Sequence, residues 1–251
     1  MTAGPALVFS ALIPDMHFHS GRGGRVLPLY RDAQAISANV SPGLLDYLSR
    51  RLKCAVTGED LMAYLAAVTA HEGFTRRFVE ELKHPGVRIP LTGSQVLWRT
   101  AVDLGGEVLW LYTYGERGVN PEAGRPAGVP RMDSERPAVQ LGIPDTSDRM
   151  PGRIRYDEPT RALHVGDGVI APVAPAVMAF EVSGMPVVKH WFGYRKRKPD
   201  GTHSSPLNDI VATNWTPAMT TELLDLLTRW DAVWPLRPSK TDCWRRSLPA
   251  L

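Results

Sequence analysis

The hydrophobic pattern of this 251-residue chain changes its period part-way along, and this change restricts the fold class more than any other feature. Before residue 114 the apolar residues recur at helical spacing, most clearly from Ser94 to Thr113. Residues 115–152 then hold six prolines, six glycines and eleven charged residues without a sustained period. From Arg153 to Val173 the pattern is that of short alternating strands separated by turns. Helices and antiparallel strands in separate parts of a chain are typical of an α+β fold.

Local signals place the helices. Thr57-Gly-Glu-Asp60 has the form of a capping box, so a helix is expected to begin there. Pro186 suits the first turn of a helix that runs through a basic segment as far as residues 198–201. The other predicted helices follow Ser41-Pro42, run from Phe74 to Pro85 after an interruption at Gly73, and span Ser94–Thr113 and Thr216–Trp230.

Short apolar runs between turn residues predict the strands. They are Ala6–Ile13, Val26–Tyr30, Arg153–Tyr156, Ala162–Val165 and Val169–Val173. Residues 176–182 fit either a strand or a short helix. Residues 115–152 are expected to form a mobile Pro/Gly-rich loop insertion, because so few apolar residues cannot offset the entropy lost on ordering.

Positive charge is concentrated in one stretch, from Ser183 to Gly201. Five cations there oppose one acid, and a Trp, a Phe and a Tyr lie between them, so the segment carries +4 while the whole chain is only +3. Residues 229–251 carry five cations and two acids, or +3, which leaves −4 for the rest of the chain. A local cationic excess beside aromatic side chains is typical of a surface that binds a polyanion such as DNA.

Cationic side chains are therefore the candidate DNA-binding residues. Lysines chiefly neutralise phosphates, whereas arginines can also bind guanine edges in pairs of hydrogen bonds. Within the basic segment Trp191 is expected to anchor the candidates, which are Lys189, His190, Arg195, Lys196, Arg197 and Lys198. Further candidates elsewhere are Arg76, Arg77, Arg22 and Arg25.

Sequence motifs for nucleotide chemistry are missing. The chain has no G-x-x-x-x-G-K-[ST] loop, no G-x-G-x-x-G after a strand, and no Asn/Asp-Pro-Pro-aromatic motif of an adenine methyltransferase. No catalytic residue and no cofactor are therefore predicted for this chain. The longest apolar run, Val169–Val182, is interrupted by prolines and is too short to span a bilayer, and the first residues do not resemble a secretory signal, so a cytoplasmic location is expected.

Two alternative functions remain open. Asp15, His17 and His19 follow an apolar run with the alternation that metal-dependent hydrolases use for metal ligands. Alternatively, a Trp-rich C-terminal region could dock a partner protein through Trp215, Trp230, Trp234 and Trp244.

Taken together, the motifs resemble the C-terminal target-recognition (specificity) domain of type ISP restriction–modification enzymes, over about residues 6–230. The similar pieces occur in the family's order, and they are Val8–Asp15, Leu27–Tyr30, Thr57–Asp60 with Tyr64, Phe74–Phe78, Glu81–Lys83, Arg88–Leu91, Gly105–Tyr114 and Gly184–Arg195. Members of this family join nuclease, translocase and adenine-N6 methyltransferase parts to this domain in one polypeptide and act in phage defence.

The resemblance implies a domain for sequence-specific recognition of double-stranded DNA that lacks the methyltransferase and helicase/nuclease parts and is not an enzyme by itself. It leaves two arrangements open: the chain acts with a separately encoded methyltransferase/translocase subunit, with S-adenosylmethionine bound only there, or it is the remnant of a split enzyme. The expected organisation is one domain over residues 1–251, with a strand and helical part (1–114), the loop insertion (115–152), a hairpin and basic-helix part (153–235) and a basic tail (236–251).

Overall fold

The computed structural model describes residues 5–14, 25–84, 86–128, 136–182, 184–197 and 212–233. The chain divides into two compact units, one built mainly from Gly4–Pro130 and the other from Arg131–Trp234. We call them the helical unit and the sheet unit. Together they have the α+β composition that the sequence predicts. That the whole chain acts as one recognition domain stays a prediction.

Four α-helices build the described part of the helical unit. They are α1 (Leu44–Leu52), α2 (Gly58–Ala70), α3 (Glu72–Arg77) and α4 (Gln95–Tyr112), with 3₁₀ turns at Glu81–Lys83 and Pro121–Ala123. The predicted capping box is present, because Thr57 accepts from the Asp60 amide and the Asp60 carboxylate accepts from the Thr57 amide. Ser94 caps α4 as its spacing indicates. These helices are confirmed because their start signals are local.

The core of the helical unit lies where α2 packs on α4. The rings of Tyr64 and Trp98 stack with centroids 4.6 Å apart, and both side chains are buried. Gly105 on α4 lies directly against the backbone of Ala63, so close that a Cβ on Gly105 would come within 1.6 Å of the Ala63 carbonyl oxygen.

The two strands predicted before residue 31 are wrong. Residues 6–13 form no strand: Ala6 donates to the Thr69 carbonyl at the end of α2, and Phe9 contacts Tyr112 edge-on. Residues 26–30 reach only an isolated bridge between Tyr30 and Ala38. A strand requires a neighbouring strand for its hydrogen bonds, and these segments use helix ends and a turn instead.

The predicted helix from Phe74 to Pro85 is shorter than expected. The interruption falls at His71 rather than at Gly73, because the His71 ring accepts a hydrogen bond from the Gly73 amide (2.9 Å) and caps α3. The helix ends at Arg77, and the chain continues as turns to the 3₁₀ turn Glu81–Lys83.

An antiparallel four-stranded sheet forms most of the other unit. Its strands are β1 (Ala138–Leu141), β2 (Ile154–Asp157), β3 (Ala162–Val165) and β4 (Gly168–Ala171), in the order β1-β4-β3-β2. The last three confirm the prediction. β1 falls inside the segment predicted as a loop, and the sequence missed it because all four residues are exposed and carry no alternating pattern.

The remaining elements of the sheet unit are α5 (Pro175–Met178), β5 (Glu181–Val182), β6 (Met185–Pro186), α6 (Val187–Gly193) and α7 (Pro217–Val233). Residues 176–182 thus contribute to both a helix and a strand. α6 is shorter than predicted, because the amides of Arg195 and Lys196 both donate to the Phe192 carbonyl and close the helix. The cationic residues 195–197 therefore follow the helix instead of lying on it. No described helix is long and apolar enough to cross a membrane.

Candidate nucleic-acid interface

An aromatic cluster fixes the basic segment to the rest of the sheet unit. Trp215, before α7, is only 1% exposed and donates from Nε1 to the Thr220 hydroxyl (2.9 Å). Trp191 and Phe192 of α6 contact it with ring centroids 6.1 and 6.2 Å away. The predicted anchoring role of Trp191 is consistent with this packing, which gives the adjoining cations a rigid base.

Arg195 is the most restrained of the candidate residues. Its guanidinium lies 4.1 Å above the Trp191 ring and forms a 2.8 Å ion pair with Glu222 of α7. It also donates to the Trp191 carbonyl at 3.3 Å, and its side chain is only 30% exposed. No local pattern pointed to Glu222, which lies 27 residues further along the chain. A ligand therefore has to compete with Glu222 for the donors of Arg195 that the ion pair uses.

A shallow groove of about 470 Å³ lies beside α6. Its lining combines apolar residues with Lys189, His190 and Tyr194. Lys189 is exposed, and Tyr194 is 70% exposed with its ring held edge-on against His190 at 5.0 Å. The groove therefore presents an aromatic ring and a cation to solvent, the two groups that contact sugars, bases and phosphates.

Lys196 and Arg197 are exposed on the turn that follows α6. The Arg197 amide donates to the Pro151 carbonyl (2.8 Å), and its guanidinium reaches the Asp148 carbonyl at 3.4 Å. The Thr146 hydroxyl donates a hydrogen bond to the Asp148 carboxylate and lowers the pKa of Asp148. Within the described part of the chain, Lys189, Lys196 and Arg197 take part in no ion pair.

The structure brings together only some of the predicted DNA-binding residues. Lys189, His190, Arg195, Lys196 and Arg197 lie together in the sheet unit. Arg76, Arg77 and Arg25 are exposed in the helical unit, where the Arg77 guanidinium lies 5.9 Å from the Phe78 ring centre. Lys198 and Arg22 lie outside the described residues. That these side chains contact DNA stays a prediction.

Most residues of the two alternative sites lie outside the part of the chain that the structure describes. Asp15, His17 and His19 lie outside the described residues, and among the residues that are described no His, Cys, Asp and Glu side chains cluster as metal ligands would. Of the tryptophans proposed to dock a partner, Trp215 is buried inside the sheet unit and is not available to one. Trp234 and Trp244 lie outside the described residues, as does the side chain of Trp230.

Three solved structures share this fold. The chain aligns to a nuclease-deletion mutant of the Type ISP restriction-modification enzyme LlaGI in complex with a DNA substrate mimic, at TM-score 0.59 and 18% identity, over 91% of this chain and 16% of that one. It aligns to the ATP-dependent Type ISP enzyme LlaBIII bound to DNA at TM-score 0.61 and 15% identity, over 91% and 14%. It aligns to a DrdV–DNA complex at TM-score 0.62 and 16% identity, over 99% of this chain and 24% of that one.

The chain thus spans less than a quarter of each of these longer proteins. No curated protein matches it. The model of the Type ISP C-terminal specificity domain, however, matches residues 1–226, which include both helical and sheet units up to α7. The chain therefore belongs to the Type ISP C-terminal specificity domain family.

Proposed function

We propose that this chain recognises a specific sequence in double-stranded DNA. The observation that carries the proposal is the set of exposed cations, Lys189, Lys196 and Arg197, on one segment that Trp191 and Trp215 fix in place. Family membership supports it, as do the DNA complexes of the structurally similar enzymes. Such a surface matches the phosphate backbone in charge, and its groove offers a Tyr and a His for contacts beyond the backbone.

The cationic residues are suited to different kinds of contact with DNA. Lys189 and Lys196 are suited to phosphates, because an ammonium group is a point charge with freely rotating donors. Arg197 can hold a phosphate or a guanine edge with two donors. Arg195 takes part only when the DNA outcompetes Glu222 for its guanidinium.

The catalytic steps are assigned to a partner and not to this chain. We propose that a separate methyltransferase/translocase subunit supplies methyl transfer with S-adenosylmethionine, and that this chain supplies the sequence preference. The complex would act where the DNA is, in the cytoplasm.

The double variant Lys196→Gln/Arg197→Gln tests this function. Fluorescence anisotropy with duplexes selected from a random pool should show weaker binding, and the slope of log K against log salt should fall by about 1.8, since each lost phosphate contact removes roughly 0.9. The matched control is Arg50→Gln/Arg51→Gln on α1, which removes the same charge from an exposed pair in the helical unit. Unchanged affinity and slope, or an equal loss in the control, would contradict the assignment.

A further inference from the structure

The strand β2 carries two arginines on the outer face of the sheet. Along β2, Ile154 and Tyr156 face inward, because their register partners Val165 and Leu163 are fully buried. Successive side chains of a strand point to opposite faces, so Arg153 and Arg155 point outward, and both are exposed. The Arg153 carbonyl accepts from the Gly166 amide at 3.1 Å, which continues the ladder between β2 and β3 by one residue.

These two arginines lie next to the basic segment. The hydrogen bond from the Arg197 amide to the Pro151 carbonyl brings the end of that segment to the start of β2. Arg153 is two residues beyond Pro151, a span of at most about 7 Å, and Arg155 is one further step of about 7 Å. Arg153, just before β2, and Arg155 on β2 therefore follow one another close to the point where the basic segment meets the sheet, and we call these two residues the arginine row.

The charge of the row is not neutralised within the described residues. Neither Arg153 nor Arg155 takes part in an ion pair there, whereas Arg149 nearby is paired with Asp167 at 2.9 Å. The acid on the same face of β2 is Asp157, whose carboxylate accepts from the Thr160 hydroxyl. Moreover, β2 is the last strand of the described sheet and pairs only with β3, so the row lies at the edge of that sheet.

We propose that the arginine row binds the sugar–phosphate backbone of one DNA strand and sets the orientation of the duplex on the sheet unit. This rests on the proposed function and adds to it a second contact surface, on β2, that the basic segment does not include. The ligand is backbone phosphate: two arginines whose Cα atoms lie about 7 Å apart on an extended strand place two positive charges in line, and a DNA strand carries one phosphate per roughly 3.4 Å of axis. Contacts to the backbone position a protein without reading sequence.

The test is the salt dependence of duplex binding by Arg153→Gln/Arg155→Gln. We expect roughly tenfold weaker binding and a slope of log K against log salt that is smaller by about 1.8. The loss should be the same for the preferred duplex and for an unrelated one, because backbone contacts are independent of sequence. The variant Arg153→Lys/Arg155→Lys should restore most of the slope, and thermal melting by circular dichroism verifies that each variant is folded.

Arg149→Gln is the matched control. This variant removes one arginine charge from the same region, but the Arg149 guanidinium is already paired with Asp167. We therefore expect little change in duplex affinity, and little change in the salt slope for each charge removed. If Arg149→Gln lowers the slope as much per charge as the row variant, the effect is long-range charge and not contact, and the proposal is overturned.

The outcomes also separate this inference from the function on which it rests. Wild-type protein that fails to bind any duplex overturns both. If Lys196→Gln/Arg197→Gln weakens binding while Arg153→Gln/Arg155→Gln leaves affinity and slope unchanged, DNA recognition stands and the arginine row is wrong. A loss confined to the preferred duplex would also overturn the row, because it would indicate base reading.

Discussion

At the scale of single residues, neighbouring cations of the basic segment differ in how firmly the sheet unit holds them. Arg195 lies at the centre of the basic segment, yet it is stacked on Trp191 and paired with Glu222. Lys196, the next residue, is exposed and has no ion-pair partner among the described residues. The difference arises from the end of α6, since the turn after Gly193 directs Arg195 back towards α7.

Glu222→Gln tests whether Arg195 is held back from DNA. Removing the carboxylate frees the guanidinium and deletes one negative charge, so we expect two- to fivefold tighter duplex binding, the range of an exposed ion pair worth up to about 1 kcal/mol. Anisotropy titrations at fixed salt measure the effect. Glu158→Gln, an exposed acid in the same unit, is the control for net charge. Weaker binding by Glu222→Gln would instead mean that Glu222 positions Arg195 for the DNA.

At the scale of elements, the helical unit depends on one close approach between α2 and α4. Gly105 allows the two helices to touch backbone to backbone at Ala63. Its neighbour Gly106 faces the side chain of Arg125, where a Cβ would lie 3.2 Å from a guanidinium nitrogen. Two adjacent glycines in one helix thus have different roles, and the sequence by itself does not distinguish them.

Replacing each glycine by alanine should separate these roles. Gly105→Ala must push the helices apart, and we expect a loss of about 1–3 kcal/mol or more in the free energy of unfolding. Gly106→Ala requires only a small shift of the Arg125 guanidinium, which hydrogen bonds to the Gly118 and Asp103 carbonyls hold, and alanine is the better helix former, so we expect a change within about 1 kcal/mol. Urea unfolding followed by circular dichroism measures both. Equal stability of the two variants would contradict the close packing of α2 on α4.

At the scale of the whole molecule, the chain corresponds to a small part of the enzymes whose fold it shares, between 14% and 24% of their length. A specificity domain of this kind needs no cofactor site of its own to discriminate between DNA sequences.

If methyl transfer is carried out by a partner, this chain should neither bind S-adenosylmethionine nor methylate DNA by itself. The purified chain should bind duplex DNA with the same affinity in the presence and absence of S-adenosylmethionine, and calorimetry with S-adenosylmethionine alone should show no binding heat. Incorporation of labelled methyl groups into the preferred duplex should be at background until a methyltransferase subunit is added. Methyl transfer by the chain alone would refute the assignment of catalysis to a partner.

The sequence by itself determined the α+β class, the starts of α2 and α4, and the three strands β2–β4. Those signals are caps, periods and turns, which act within a few residues and need no distant partner. It also located the cationic segment, since charge and aromatic content are properties of composition. The resemblance to the specificity domain came from the order of such local motifs.

Only the tertiary structure decided which of these residues are available, and where the elements end. The partner of Arg195 is 27 residues away, and Arg197 contacts Asp148 across 49 residues. β1 exists because β4 offers it hydrogen bonds, and residues 6–13 form no strand because they pair with the end of α2 instead. Pairing, burial and neutralisation of charge depend on atoms that are distant in the chain, and that information is absent from a local pattern.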